Sequence, residues 1–132
     1  MKLDRAGRSP LFYAVRDGDA TEVTRLIRAR ADVNIRDVNG DTPLHFAAQE
    51  KKVSCAKILL EAGAQIEEKN DNGNTPLMTA VLSCRGEGEM IQLLRSWGAD
   101  PFVKNNYDLS PVAVARSVAN FDIAQYFNDL PK

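Results

Sequence analysis

This 132-residue chain has few of the histidines and cysteines that bind zinc or form covalent cross-links. It has one histidine, His45, and two cysteines, Cys55 and Cys84. Two thiols and one imidazole cannot complete a tetrahedral zinc site within one chain. Both cysteines fall in segments with a helical pattern, and disulfides are rare in the cytosol. The sequence therefore predicts reduced thiols and no bound metal.

Catalytic motifs are equally scarce. Gly86-Glu87-Gly88 is a fragment of a glycine-rich loop, but no Lys-Ser or Lys-Thr comes after it, as a phosphate-binding loop would require. The acidic pair Glu67-Glu68 has no nucleophile or base beside it, and we expect it to lie on a solvated face. An active site needs several titratable groups that converge in a cleft. We therefore predict a protein that is not an enzyme and needs no cofactor.

The chain also lacks a dominant charge and a long apolar run. Its net charge is −1, so no global field would attract nucleic acid or an anionic membrane. No apolar stretch is long enough for a membrane-spanning helix. A periodic pattern begins at about Asp4, which leaves no room for a signal peptide. These features predict a single cytoplasmic domain.

The chain does contain a motif of a hydroxyl residue, a proline and an aliphatic residue, repeated four times. The motifs begin at Ser9, Thr42, Thr75 and Ser110, with spacings of 33, 33 and 35 residues. Self-similarity at a period in this range indicates a stacked array. Ser or Thr before Pro is typical of a helix N-cap, because proline is tolerated at the first helical position. Each motif therefore predicts the start of a helix.

The second copy, residues 37–69, is the most complete. Asp37 and Gly40 frame a tight turn just before the helix. Three residues at i, i+3 and i+4 of that helix share one buried face: Leu44, Ala47 and Ala48. A second apolar segment comes next, and Gly63 is expected to end it in the left-handed conformation.

This copy closely resembles the ankyrin repeat in motif and period, and the resemblance covers about residues 4–128. It implies an all-α fold, an ankyrin-repeat α-solenoid of four helix-turn-helix repeats with β-turn fingers, in one domain over residues 1–132. The repeats would span residues 4–36, 37–69, 70–104 and 105–130. The resemblance also implies that His45 makes hydrogen bonds within the turn region.

Three departures from the pattern carry expectations of their own. Arg30 stands where Gly63 and Gly98 stand in later repeats. A left-handed non-glycine residue is disfavoured by roughly 1 kcal/mol or more, so we expect this helix end to be rearranged. Repeat three has two extra residues near 83–88, which predict a longer and mobile turn. Repeat four has Asp108 in place of the turn glycine and is the most divergent, as expected of a terminal repeat.

Repeat arrays bind partners through an extended concave surface. The resemblance implies that the finger tips and the exposed side of each repeat's first helix form it here. The candidate partner-binding residues are Arg5, Arg8 and Arg16 in repeat one, Val38, Asn39, Asp41, Gln49 and Glu50 in repeat two, Asp71, Asn72 and Asn74 in repeat three, and Asn106, Tyr107 and Leu109 in repeat four.

Two aromatic residues have alternative interpretations. Tyr107 is either the anchor for a partner or a cap on the turn of the last repeat. Trp97 stands where the first two repeats have Ala29 and Ala62. It marks a contact patch on the outer face or packs on Phe102 at the edge between repeats three and four.

The resemblance implies a protein-binding module, which we expect to be monomeric on its own. Some small four-repeat ankyrin proteins with an ending like residues 120–127 are bacterial immunity proteins that neutralise a toxin. The acidic second repeat would suit a basic nuclease toxin. The alternative is a general adaptor or scaffold subunit in a signalling or regulatory complex. Nucleic-acid binding is disfavoured by the near-zero net charge, although repeat one is basic.

Overall fold

The fold is a stack of helical hairpins. A computed structural model describes residues 3–118 and 121–131, so Asn120 and both ends of the predicted 1–132 domain lie outside the described residues. The α-helices are α1 (Pro10–Arg16), α2 (Ala20–Arg28), α3 (Pro43–Glu50), α4 (Val53–Glu61), α5 (Pro76–Ser83), α6 (Glu89–Ser96) and α7 (Pro111–Ser117), and the last helical element is a 3₁₀ helix (Ile123–Phe127). The described residues contain no strand.

The helices form two layers. The inner helices α1, α3, α5 and α7 pack side by side, and so do the outer helices α2, α4 and α6. Leu11, Leu44 and Leu77 occupy equivalent positions on successive inner helices and are fully buried. The small residues Ala47 and Ala48 are buried beside Leu44, as predicted. The prediction of an all-α ankyrin-type solenoid is therefore confirmed.

The hydroxyl-proline motifs begin helices as predicted. The side-chain oxygens of Thr42, Thr75 and Ser110 each accept a hydrogen bond of 3.2–3.3 Å from the N–H three residues later. These bonds satisfy one of the backbone donors that a helix N-terminus leaves free. Ser9 is the N-cap of α1, but its side chain makes no capping hydrogen bond in the described structure.

The expected rearrangement at Arg30 is wrong. Arg30 adopts the left-handed conformation, with φ +71°, as Gly63 does with φ +98°. The N–H of Ala31 donates to the carbonyl of Leu26 over 3.0 Å, and Ala64 donates likewise to Leu59 over 2.9 Å. The hydrogen bonds of this helix cap thus outweigh the backbone cost of a side chain.

Repeat three has the predicted longer turn, the inserted loop (residues 84–88), between α5 and α6. The sequence predicted that this loop is mobile, and the structure shows that it makes contacts with a distant segment. The hydroxyl of Tyr126 donates to the Gly86 carbonyl over 2.7 Å. The Tyr126 ring lies against Gly88, where a Cβ atom would be only 2.1 Å from a ring carbon. The loop is therefore packed against the last element of the described chain.

The residues predicted to form repeat four, 105–130, differ from the predicted helix-turn-helix, because their second half contains a short 3₁₀ helix rather than an α-helix. Arg95 of α6 holds this segment. Its guanidinium donates to both carboxylate oxygens of Asp129, over 2.7 and 2.8 Å, and to the Tyr126 carbonyl over 2.8 Å. Within the described residues, no helix is both long and apolar enough to cross a membrane.

Candidate functional site: the concave surface

Four fingers project from the inner helices and share one turn geometry. They span residues 4–8, 37–41, 70–74 and 105–109. In the second, Oδ1 of Asp37 accepts hydrogen bonds from the N–H groups of Asn39 and Asp41, over 2.9 and 3.0 Å. Asp4, Asn70 and Asn105 make the equivalent bonds in the other fingers. Asp and Asn suit this position because their short side chains bond the backbone two residues on.

Backbone hydrogen bonds join each finger tip to the next. The N–H groups of Val38, Asp71 and Asn106 donate to the carbonyls of Ala6, Asn39 and Asn72 over 2.8, 2.9 and 3.0 Å. The fourth residue of each finger has a positive φ, as the bonding requires, and Asp108 adopts it with φ +62°. The finger tips therefore form one connected row.

Side chains behind the tips also pair between fingers, and they include the predicted contact residues Arg8 and Asp41. Arg8 Nε donates to Asp37 over 3.1 Å, and its guanidinium lies 4.7 Å from the centre of the Phe46 ring. Asp41 accepts a 2.8 Å hydrogen bond from Asn70. Arg8 and Asp41 are half-buried, so substituting either one would also disturb the packing of the fingers.

Asn74 is a correction to the predicted contact set. Its side chain is buried and accepts a 2.9 Å hydrogen bond from Asn105 Nδ2. Its backbone carbonyl lies 2.8 Å from His45 Nε2. Asn74 therefore joins the fingers of repeats three and four rather than facing a partner.

His45 has a structural role that the resemblance implied. Its Nδ1 accepts the Thr42 N–H over 3.1 Å, so the proton lies on Nε2, which donates to the Asn74 carbonyl. Burial lowers the pKa of the imidazole below its ordinary value of 6.5. The neutral ring thus ties α3 to the next finger.

The other predicted contact residues are exposed, at the finger tips and the ends of the inner helices. They are Arg5, Arg16, Val38, Asn39, Gln49, Glu50, Asp71, Asn72, Asn106, Tyr107 and Leu109. Tyr107 is 68% exposed and Val38 is 61% exposed, although both are large apolar residues. This exposure is consistent with Tyr107 as an anchor, and a role in covering the last turn would bury it further.

Sequence reasoning missed two residues of this surface, Lys51 and Arg85. Together with predicted neighbours they line a hollow between the ends of α3 and α5. Lys51 comes directly after α3 in the left-handed conformation, with φ +60°, and its Nζ lies 2.7 Å from Glu87 Oε1. This ammonium group, together with the backbone N–H of Arg85, lowers the pKa of Glu87 to about 2. The signal for both residues was the insertion in repeat three, since the longer loop carries Arg85 and the acidic partner of Lys51.

Within residues 3–118 and 121–131, Trp97 makes no ring contact with Phe102, contrary to one interpretation. Trp97 is 46% exposed and Phe102 is 52% exposed. Among the described residues, the aromatic pair in ring contact is Phe12 with Phe46, whose centroids are 4.9 Å apart. The alternative, a contact patch on the outer side, stays a prediction.

Cys55 and Cys84 are buried free thiols, as predicted. Burial raises the pKa of Cys55, which disfavours the reactive thiolate. No group of three or more His, Cys, Asp and Glu side chains in the described part of the chain could hold a metal ion. Of the acidic pair, Glu68 lies 3.3 Å from Arg36, and Glu67 accepts the Asp100 N–H over 2.9 Å. The pair therefore links repeats as well as facing solvent.

Comparison with known families agrees with this geometry. A family model described as ankyrin repeats in three copies matches residues 11–105, which is more than half of the chain. The chain belongs to the ankyrin-repeat family. No curated protein matches it. Ankyrin repeats indicate a protein–protein interaction module, and the family typically acts by binding rather than by catalysis.

Proposed function

We propose that this ankyrin-repeat chain binds a partner protein through its concave surface, with Tyr107 and Leu109 as the principal anchors. Tyr107 carries the proposal because it combines a large exposed side chain with a fixed backbone. Its N–H donates to Asn105 Oδ1 over 2.9 Å, and the adjacent Asn106 bonds to the preceding finger. Binding hot spots are enriched in tyrosine.

The connected fingers support a tight interface. Association costs less when the binding residues are already ordered, because less conformational freedom is lost. The tips are joined through three backbone hydrogen bonds and each is closed by an Asp or Asn side chain. The anchors therefore stand on a surface that needs little reorganisation.

The charges on this surface favour a protein over a nucleic acid. Arg5 and Arg16 are exposed at repeat one, but Glu50 and Asp71 are exposed in the middle of the row. A continuous basic stripe, which would release counterions from phosphates, does not form on these residues. Nucleic-acid binding would be recognised by a steep loss of affinity with added salt.

Neutralisation of a toxin is the more specific hypothesis within this proposal. The acidic groups of Glu50 and Asp71 would complement a basic toxin. A toxin encoded beside this protein, bound in a one-to-one complex that abolishes its activity, would support the hypothesis. Several partners, or residence in a larger complex, would favour the alternative of a general adaptor.

The test begins with cross-linking and purification of the partner from the source cell, and affinity measurements on variants come next. We expect Tyr107→Ala to weaken partner binding by about 1–2 kcal/mol or more, with little change in the melting temperature. Phe102→Ala is the matched control. Phe102 is also an exposed aromatic, but it lies between α6 and the fourth finger, outside the predicted contact residues. Equal partner affinity of wild type and Tyr107→Ala would show that the binding site lies elsewhere on the protein.

A further inference from the structure

The inserted loop gives the concave surface a feature that the other repeats lack. A hollow of about 400 Å³ lies between repeats two and three. The connections in repeats one and two are shorter, at residues 17–19 and 51–52, whereas residues 84–88 join α5 to α6. The hollow is lined by Gln49, Glu50 and Lys51 on one side and by Leu82, Ser83 and Arg85 on the other.

Two contacts with other segments and one within the loop hold the inserted loop in place. The Lys51–Glu87 ion pair of 2.7 Å joins it to repeat two. The Tyr126 hydroxyl bonds Gly86 from the far side. Within the loop, Cys84 Sγ lies 3.1 Å from the Glu87 carbonyl oxygen. The hollow is therefore a formed feature whose walls are fixed by groups from repeats two, three and four.

Two opposite charges in the hollow have no ionic partner within the described residues. Lys51 is paired with Glu87, which leaves Arg85 and Glu50. The Arg85 guanidinium donates only to backbone carbonyls, those of Leu82 and Cys84, over 3.4 and 3.2 Å. Both charged residues are exposed, and Leu82, on the same wall as Arg85, is 49% exposed. The hollow thus offers a cation on one wall, a carboxylate on the other and an apolar surface.

We propose that this hollow selects partners whose charges are complementary to those of Arg85 and Glu50. A partner carboxylate would bind Arg85 and a partner ammonium or guanidinium would bind Glu50, with an apolar group resting on Leu82. Charge-assisted hydrogen bonds to guanidinium are strong and directional, and complementary charges fix the register of an interface. This inference rests on the proposed function, because it names the chemistry of the partner at one point of the concave surface.

The test uses peptides selected on the wild-type protein from a random displayed library. The double variant Glu50→Arg, Arg85→Glu exchanges the two charges and keeps the net charge of the chain. We expect the selected peptides to bind it at least tenfold more weakly. Peptides whose own acidic and basic residues are exchanged should recover binding to the double variant. Lys57→Glu, Glu61→Lys is the matched control, since it exchanges two exposed charges on the outer helix α4 and should leave affinity unchanged.

Each outcome decides the question. Equal binding of the selected peptides to wild type and the double variant would overturn the proposal, as would a library that yields no binder. If the double variant does not fold, as seen by a loss of helical circular dichroism, the test uses the single variant Arg85→Gln instead. In that case, changing the peptide carboxylate to an amide should weaken binding to the wild type but not to Arg85→Gln. An equal loss of affinity for the wild type and for Arg85→Gln would overturn the proposal. Peptide binding that depends on Tyr107 but not on Arg85 would refute the proposed role of the hollow and leave the proposed function intact.

Discussion

Repeats two and four begin alike and end differently. Asp37 and Asn105 close their fingers with the same hydrogen bonds, and a hydroxyl-proline motif starts the inner helix in both. Repeat two then forms the α-helix Val53–Glu61. At the corresponding point, repeat four forms the shorter 3₁₀ helix Ile123–Phe127. The first half of a repeat is thus set locally, whereas the second half depends on its neighbours.

The neighbours explain the difference. Helix α4 packs between α2 and α6, while the 3₁₀ helix packs chiefly on α7. Ala48 is buried on α3, but Arg116 stands at the equivalent position of α7 and is exposed. The Arg116 guanidinium donates to the Leu130 carbonyl over 3.2 Å. The fourth repeat therefore places an exposed polar side chain where the second repeat has a buried apolar one.

The largest effect should come from core cavities, compared between the two repeats. Leu59 of α4 and Ile123 of the 3₁₀ helix are both almost fully buried. We expect Leu59→Ala to lower the free energy of unfolding by about 2–5 kcal/mol, because the cavity is enclosed by packed helices. Ile123→Ala should cost less, since the 3₁₀ helix packs chiefly on α7 and can relax more readily than a helix with neighbours on both sides. Urea denaturation measures both, and a larger loss at Ile123 would contradict the comparison.

The next largest loss of stability should come from the turn glycine of repeat two, Gly40. A Cβ on Gly40 would lie 2.6 Å from Asp71 Oδ1 and 2.9 Å from the Asp71 nitrogen, because the following finger packs against it. Gly40→Ala should therefore cost about 2–4 kcal/mol, from backbone strain and from the clash. Asp108→Gly, at the same position of repeat four, should stabilise the protein by up to about 1 kcal/mol. Thermal melts of both variants provide the check, and similar losses at both sites would be inconsistent with this explanation.

A double-mutant cycle tests how the inserted loop and repeat four depend on each other. In wild type, a Cβ at residue 88 would overlap the Tyr126 ring. Gly88→Ala should thus destabilise the protein by about 1–3 kcal/mol. In a Tyr126→Ala background, which removes the ring, the same substitution should have little effect. Additive losses in urea denaturation would show that the two residues act independently.

The smallest effect concerns the buried histidine, which repeat two has and repeat four replaces with Ala113. The pKa of His45 is lowered by burial, so the folded protein keeps the ring neutral. The unfolded chain takes up a proton below about pH 6.5. Stability should be fully present above that pH and fall by up to about 1.4 kcal/mol per pH unit on acidification, until the pKa of the folded state is reached.

Urea denaturation between pH 7.5 and 5 measures this dependence, with His45→Gln as the control. The variant should lose the pH dependence that wild type shows in this range, because the chain has no other histidine. Parallel pH profiles for the two proteins would show that His45 is not buried in its neutral form.

Much of the candidate site was predictable because it is built from finger positions. Tyr107 and Val38 come shortly after an Asx residue in their turns, and such tips are exposed wherever the turn forms. Asn74 was predicted as a contact residue together with Arg8 and Asp41, which hold the same finger position, but the structure buries all three at least in part. The burial of Asn74 depends on Asn105 and His45, which lie far away in sequence. The role of Arg85 likewise depends on how the inserted loop meets α3.

The sequence by itself determined the period, the fingers and the starts of the inner helices, because Asp or Asn, a positive-φ residue and a hydroxyl-proline motif act within a few residues of one another. Only the tertiary structure decided the left-handed Arg30, the anchoring of the inserted loop by Tyr126 and the 3₁₀ ending of repeat four. Those features depend on hydrogen bonds and packing between residues that the chain brings together only when the repeats stack.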